Sequence, residues 1–182
     1  IFDYVFCWLG NTNLILSIIK LIEDKMNLEH DIREAGVQMI LLVEDSIRFY
    51  SSILPNLYNY ILEQSKNFSK EALNRHAATM RMRGRPKVVL ARTYEEAKKL
   101  YDKYSNNTLG VISDARFPLK SAAKAFGNEV EQEVKPEYGT DTFGREKCPD
   151  AGLQLFRYIR KNDSFVPLIL ESSESDNRAK AE

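Results

Sequence analysis

This sequence predicts an α/β fold built on a parallel sheet, on three observations. Short apolar runs recur at Met39–Val43, Lys87–Ala91, Thr108–Ser113 and Val166–Leu170, and helical patterns separate them. The first run is apolar at successive positions, as a strand covered on both faces must be. Repeated strand-helix order implies right-handed crossovers, with helices on both faces of the sheet.

At the N-terminus, Tyr4–Trp8 reads as a strand and Leu9-Gly10-Asn11-Thr12 as a turn. Asn13–Asn27 reads as a helix, with Leu14, Ile15, Ile18, Ile19, Leu21 and Ile22 at helical spacing and Met26 one turn on. Glu29–Gly36 reads as a polar link with Gly36 as its breaker, and Met39–Val43 is the next strand. In Ile47–Ser65, the residues Ile47, Tyr50, Ile53, Leu54, Leu57, Tyr58 and Ile61 form one stripe, and Pro55 is expected to kink or divide the helix. A second helical piece, Lys70–Met82, precedes Gly84-Arg85-Pro86. Strand Lys87–Ala91, helix Thr93–Tyr104 and strand Thr108–Ser113 follow. The insertion Leu119–Pro149 is polar, carries Glu129, Glu131, Glu133, Glu137 and Asp141, and has the composition of a disordered segment. Ala151–Lys161 resumes a helix through Leu153, Leu155, Phe156 and Ile159, Val166–Leu170 is the last strand, and a weakly helical pattern begins at Asp176.

With 182 residues, 26 basic and 26 acidic, the chain is long enough for a real core and has no net field to recruit nucleic acid or an anionic membrane. Arg81, Arg83, Arg85 and Lys87 lack aromatic interleaving and read as a solvated helix end. Two cysteines, Cys7 and Cys148, are too few for a disulfide framework, which points to a reducing cytoplasm. His30 and His76 lack the spacing of metal ligands or nucleophile partners. Leu14–Ile22 is too short, and too interrupted by Ser17 and Lys20, to span a bilayer. Opening on Ile1 within an apolar run, the chain reads as a piece of a longer protein.

The candidate chemistry lies where strands end in acids. Met39–Val43 runs into Glu44, Asp45 and Ser46, and Thr108–Ser113 runs into Asp114. Ligands of open α/β sheets bind outside the carboxyl ends of the strands. Adjacent buried acids repel one another and lose solvation, so a divalent cation is their natural neutraliser. A helix cap by Asp45 or Ser46 is the alternative for the first pair, and convergence with Asp114 favours the cation.

The strings ILLVEDS, ISDARFP and VPLILESSES, in that order, resemble the receiver domain of bacterial two-component response regulators. The likeness runs from about Gln38 to the C-terminus and implies a flavodoxin-like, doubly wound parallel sheet of five strands, of which this region supplies four. It also implies that Asp114 accepts a phosphoryl group. Mg²⁺ would be held by Asp45, Asp114, the Arg116 carbonyl and, through water, Glu44, while Ser172 would hydrogen-bond the phosphoryl group. The family's lysine, carried on the fifth strand, has no counterpart in this reading.

Residues 1–32 resemble the last strand and helix of a preceding receiver-like domain. They would dock on the open sheet edge of the receiver-like domain at 37–182, pair between chains in a homodimer, or stand as an interdomain fragment. The expected partners are a histidine kinase or phosphotransfer protein and an attached output or catalytic domain, with no nucleic acid or membrane. An alternative function is a non-phosphorylated interaction or regulatory module of a larger enzyme, on a fainter resemblance to phosphoenolpyruvate synthase-like proteins. In either role the fragment is regulatory, and the sequence leaves open any enzymatic activity beyond self-phosphorylation.

Overall fold

A computed structural model describes residues 3–120, 140–141 and 143–172. Five helices are described: α1 (Asn13–Ala35), α2 (Ile47–Lys70), α3 (Arg75–Arg83), α4 (Tyr94–Tyr104) and α5 (Ala151–Asn162). The strands are β1 (Met39–Val43), β2 (Lys87–Ala91), β3 (Thr108–Asp114), β4 (Phe117–Pro118), β5 (Lys147–Cys148) and β6 (Leu168–Glu171). Four of them form a parallel sheet in the order β2-β1-β3-β6, flanked by helices. The protein is therefore α/β, with a strand order compatible with the flavodoxin-like arrangement. β4 and β5 form a separate antiparallel pair.

The described residues fall into two compact units. Those of Ile1–Ile40, Ile47–Val89 and Asn106–Leu109 form one, and those of Leu41–Ser46, Leu90–Ser105 and Gly110–Glu182 form the other.

In the first unit α1 packs on α2. The buried stripe Tyr50, Leu54, Tyr58 and Ile61 on α2 is the one the helical periodicity predicts. Three expectations change here. Tyr4–Trp8 forms no strand, because its backbone bonds to α2 instead: Cys7 N–H donates to Ser51 Oγ (2.9 Å) and the Tyr50 hydroxyl donates to the Val5 carbonyl. These residues therefore add no fifth strand to the sheet. The polar link expected at Glu29–Gly36 is the last part of α1, which ends where Gly36 adopts φ +59° and its amide donates to the Ile32 carbonyl (2.9 Å). Nor does Pro55 divide α2, a single helix whose buried face includes the proline ring itself.

The same unit overturns the solvated reading of the basic run. Arg85 and Lys87 are each only 5% exposed and converge on the fully buried Asp24 of α1. Arg85 Nη2 and Nη1 donate to Asp24 Oδ1 (2.7 Å) and Oδ2 (3.1 Å), and Lys87 Nζ also pairs with Asp31 (2.7 Å). The Tyr58 hydroxyl and the Val88 amide donate to Asp24 Oδ2 as well, at 2.9 and 3.0 Å.

In the second unit α4 and α5 pack together. Thr93 caps α4 by accepting from the Glu96 amide (3.2 Å), and the Glu96 carboxylate reaches back to the Arg92 amide (2.9 Å), a variant of the reciprocal capping box. β3 and β6 pair in parallel with Asp114 opposite Glu171. Part of the insertion expected to be disordered takes defined structure, since residues 143–149 include β5 and Thr140 bridges Glu146. Glu129, Glu131, Glu133, Glu137 and the pattern from Asp176 lie outside the described residues.

Candidate metal centre at the strand ends

All the acids in question belong to the second unit. β1 delivers Glu44 and Asp45 beyond its last residue, and the Glu44 amide donates to the Ala91 carbonyl (3.0 Å), holding that turn to the end of β2. β3 ends in Asp114. Because β1 and β3 are sheet neighbours, with β2 outside β1 and β6 outside β3, the three acids flank the point where the strand order reverses.

Each of Glu44, Asp45 and Asp114 places a carboxylate oxygen within 4.8 Å of the other two. Asp45 is 0% exposed and Glu44 4%, with Asp114 half-buried. Glu44 Oε1 accepts the Ser46 amide (2.9 Å), and Asp114 Oδ1 accepts the Ala115 amide (2.7 Å). Asp45 Oδ1 has no hydrogen-bond partner among the described residues. The helix-cap alternative for Asp45 is not what this arrangement supports, since a capping carboxylate would accept an amide of the helix it starts.

Burial raises all three carboxyls. For Glu44 the value is pushed up to about 8, first by burial and then by the negative Asp114, with the Ser46 amide and Lys147 opposing. Asp45 is raised by burial against the opposing pull of Lys147. Asp114 is raised by burial against the amides of Ala115 and Arg116. Ionised together the three carboxylates are under-neutralised, and their donors are all oxygen, the chemistry that suits Mg²⁺ or a similar hard cation.

The sequence reading missed Lys147. On β5 it lies opposite Pro118 of β4, just beyond Asp114, and its Nζ stands 2.7 Å from Asp45 Oδ2. Nothing in a polar insertion signals that one of its lysines returns to the strand ends. The return is built locally: Asp141 accepts the Phe143 and Arg145 amides at 2.9 and 2.8 Å, Arg145 Nε donates to Asp141 Oδ2 (2.6 Å), and Gly144 takes φ +73°. Gly152 was also missed. Its amide donates to the Ala115 carbonyl (3.1 Å), and a Cβ there would overlap the Asp114 carbonyl oxygen and stand 2.9 Å from Leu170 Cδ1. Only glycine lets the first turn of α5 lie against the end of β3.

Among the other expected site residues, Arg116 is half-buried two residues beyond Asp114. Ser172 is exposed and leaves β6 one residue past the Asp114–Glu171 pair. His30 and His76 are exposed, and Cys7 and Cys148 are free thiols. No described helix is long and apolar enough to cross a membrane. No family model, curated protein or solved structure matches the chain.

Proposed function

We propose that the acid cluster is the phosphoacceptor site of a receiver-like signalling module in the cytoplasm, with Asp114 as the acceptor. The observation that carries this reading is the fully buried Asp45, whose Oδ1 lacks a hydrogen-bond partner among the described residues while Glu44 and Asp114 converge on it. Oxygen donors from Asp45, Asp114, the Arg116 carbonyl and, through water, Glu44 would hold Mg²⁺, which when bound supplies positive charge against the phosphoryl oxygens. One Asp114 oxygen attacks the phosphorus of a phosphohistidine on a kinase or phosphotransfer protein. The new O–P bond forms as the P–N bond breaks, the imidazole keeps the electron pair, and an acyl phosphate remains on Asp114. The amides of Ala115 and Arg116 lie against the Asp114 carboxylate and orient it. Ser172, which follows the strand paired to Asp114, would be the hydroxyl that responds to the added charge and passes the change to an attached output or catalytic domain.

The test is incubation with acetyl phosphate with and without Mg²⁺, read by intact mass and peptide mapping, alongside titration with beryllofluoride. A Mg²⁺-dependent adduct on Asp114, abolished in Asp114→Asn, is expected; no adduct by either route refutes the phosphoacceptor reading. The Lys147–Asp45 pair favours a second reading, a receiver-like interaction module that never turns over phosphate, because the chain carries its own cation at the cluster. In that case Asp114→Asn leaves partner binding unchanged.

A further inference from the structure

The ammonium of Lys147 stands where a cation neutralising Asp45 would stand, 2.7 Å from Oδ2. Its side chain is 22% exposed whereas that of Asp45 is fully buried, so solvent reaches the lysine but not the carboxylate. Lys147 is held there by backbone pairing with Pro118, next to the β3 end that bears Asp114. The remaining Asp45 oxygen is buried and has no hydrogen-bond partner among the described residues, so the lysine neutralises the carboxylate without filling its bonding capacity. A small divalent ion requires carboxylate oxygens at about 2.0–2.1 Å, closer than an ammonium approaches, and would share Asp45 with a positive charge only a few ångströms away. In a pocket this buried such like charges do not coexist cheaply.

We propose that Lys147 is a tethered counter-cation that competes with a divalent ion for Asp45, so that ion binding drives the lysine off the carboxylate. Resting on the cation site proposed above, this adds an internal antagonist to it: Lys147 occupies the site at low divalent concentration and sets the concentration at which the ion takes over. With an ion bound, Asp45 would turn from Lys147 to the ion and the ammonium would move towards solvent. No bond other than the ion pair is broken.

The experiment uses the full chain and two readouts. Mn²⁺ binding is followed by loss of the free-ion paramagnetic resonance signal in wild type, Lys147→Met and Lys147→Gln, with folding of each checked by thermal melting. Amine acylation by a water-soluble ester, mapped by peptide mass spectrometry with and without saturating Mg²⁺, reports directly on the ammonium. Lys98, paired with Asp102 in the same unit and 39% exposed, serves as the internal reference. The expected results are Mn²⁺ binding about tenfold tighter in both variants, equivalent to about 1.4 kcal/mol, and a several-fold rise in Lys147 labelling on Mg²⁺ addition with Lys98 unchanged. If Mn²⁺ binds wild type and Lys147 labelling does not move, the competition is refuted while the cation site stands. Tighter binding without that labelling change is a field effect of the lysine charge and equally overturns it. If neither wild type nor the variants bind Mn²⁺, the cation site and the competition both fall.

Discussion

Replacing Asp24 with alanine is predicted to remove a large share of the stability of the first unit. The carboxylate accepts four hydrogen bonds, from Arg85 Nη1 and Nη2, the Tyr58 hydroxyl and the Val88 amide, at 2.7–3.1 Å. Without it the Arg85 guanidinium keeps the Pro86 carbonyl at 3.1 Å, Glu23 at 3.9 Å and the face of the Tyr58 ring at 5.9 Å, and Lys87 keeps Asp31 at 2.7 Å. Breaking a buried pair from one side costs about 3–5 kcal/mol, and an orphaned buried amide about 1–3 kcal/mol. Since Lys87 and Arg85 each retain a second partner, the expected net loss is about 4 kcal/mol. With a urea slope of about 1–3 kcal/mol/M, the midpoint falls by about 2 M, measured by far-ultraviolet circular dichroism and tyrosine fluorescence. Asp24→Leu combined with Arg85→Met removes both charges and recovers most of the loss, because the penalty lies in the unpaired ion. A loss below about 1 kcal/mol for Asp24→Ala, or a double variant no more stable than the single one, would refute this account.

Three further outcomes concern the second unit. Because the Glu44 carboxyl is raised from 4.5 to about 8, the native state holds a proton that the unfolded chain has released between those values. Stability therefore falls as pH rises through that window, and urea midpoints at about pH 5 and about pH 8 differ less in Glu44→Gln than in wild type. If the cluster binds Mg²⁺ as proposed, free Mg²⁺ at about one hundred times its dissociation constant is expected to stabilise the fold by about 2.7 kcal/mol, visible as a higher melting temperature in wild type and absent in Asp45→Asn. Gly152→Ala forces the first turn of α5 off the end of β3, with a loss of about 1–3 kcal/mol in urea unfolding and weaker Mn²⁺ binding from a displaced Asp114.

The parallel sheet was legible because β1 and β2 are short apolar runs bounded by polar residues, a local signal that burial reinforces. The three acids were legible for a related reason: a buried strand that ends in carboxylates announces where its end lies. Long-range charge pairing was not. Arg85 and Lys87 look like a solvated helix end because nothing near them in sequence is acidic, and their partner Asp24 lies more than sixty residues earlier on α1. Lys147 escaped notice for the same reason, its partner Asp45 being about a hundred residues away. The Tyr4–Trp8 segment shows the converse, where β-propensity is present and the strand is not, because α2 supplies hydrogen-bond partners to it.

Asp24 and Asp45 are both fully buried, yet among the described residues one is saturated with donors and the other is left with an oxygen that accepts no hydrogen bond. Natural sequences are minimally frustrated, so residual local frustration marks places that selection has kept for something other than folding. Asp24 lies at the relaxed end of that scale and should tolerate loss of function pressure without change, since its value is architectural. Asp45 lies at the frustrated end, and neutral replacements there should fold at least as well as wild type. In a library selected only for stability, Asp24 would persist while Asp45 and Glu44 drifted to amides or apolar residues.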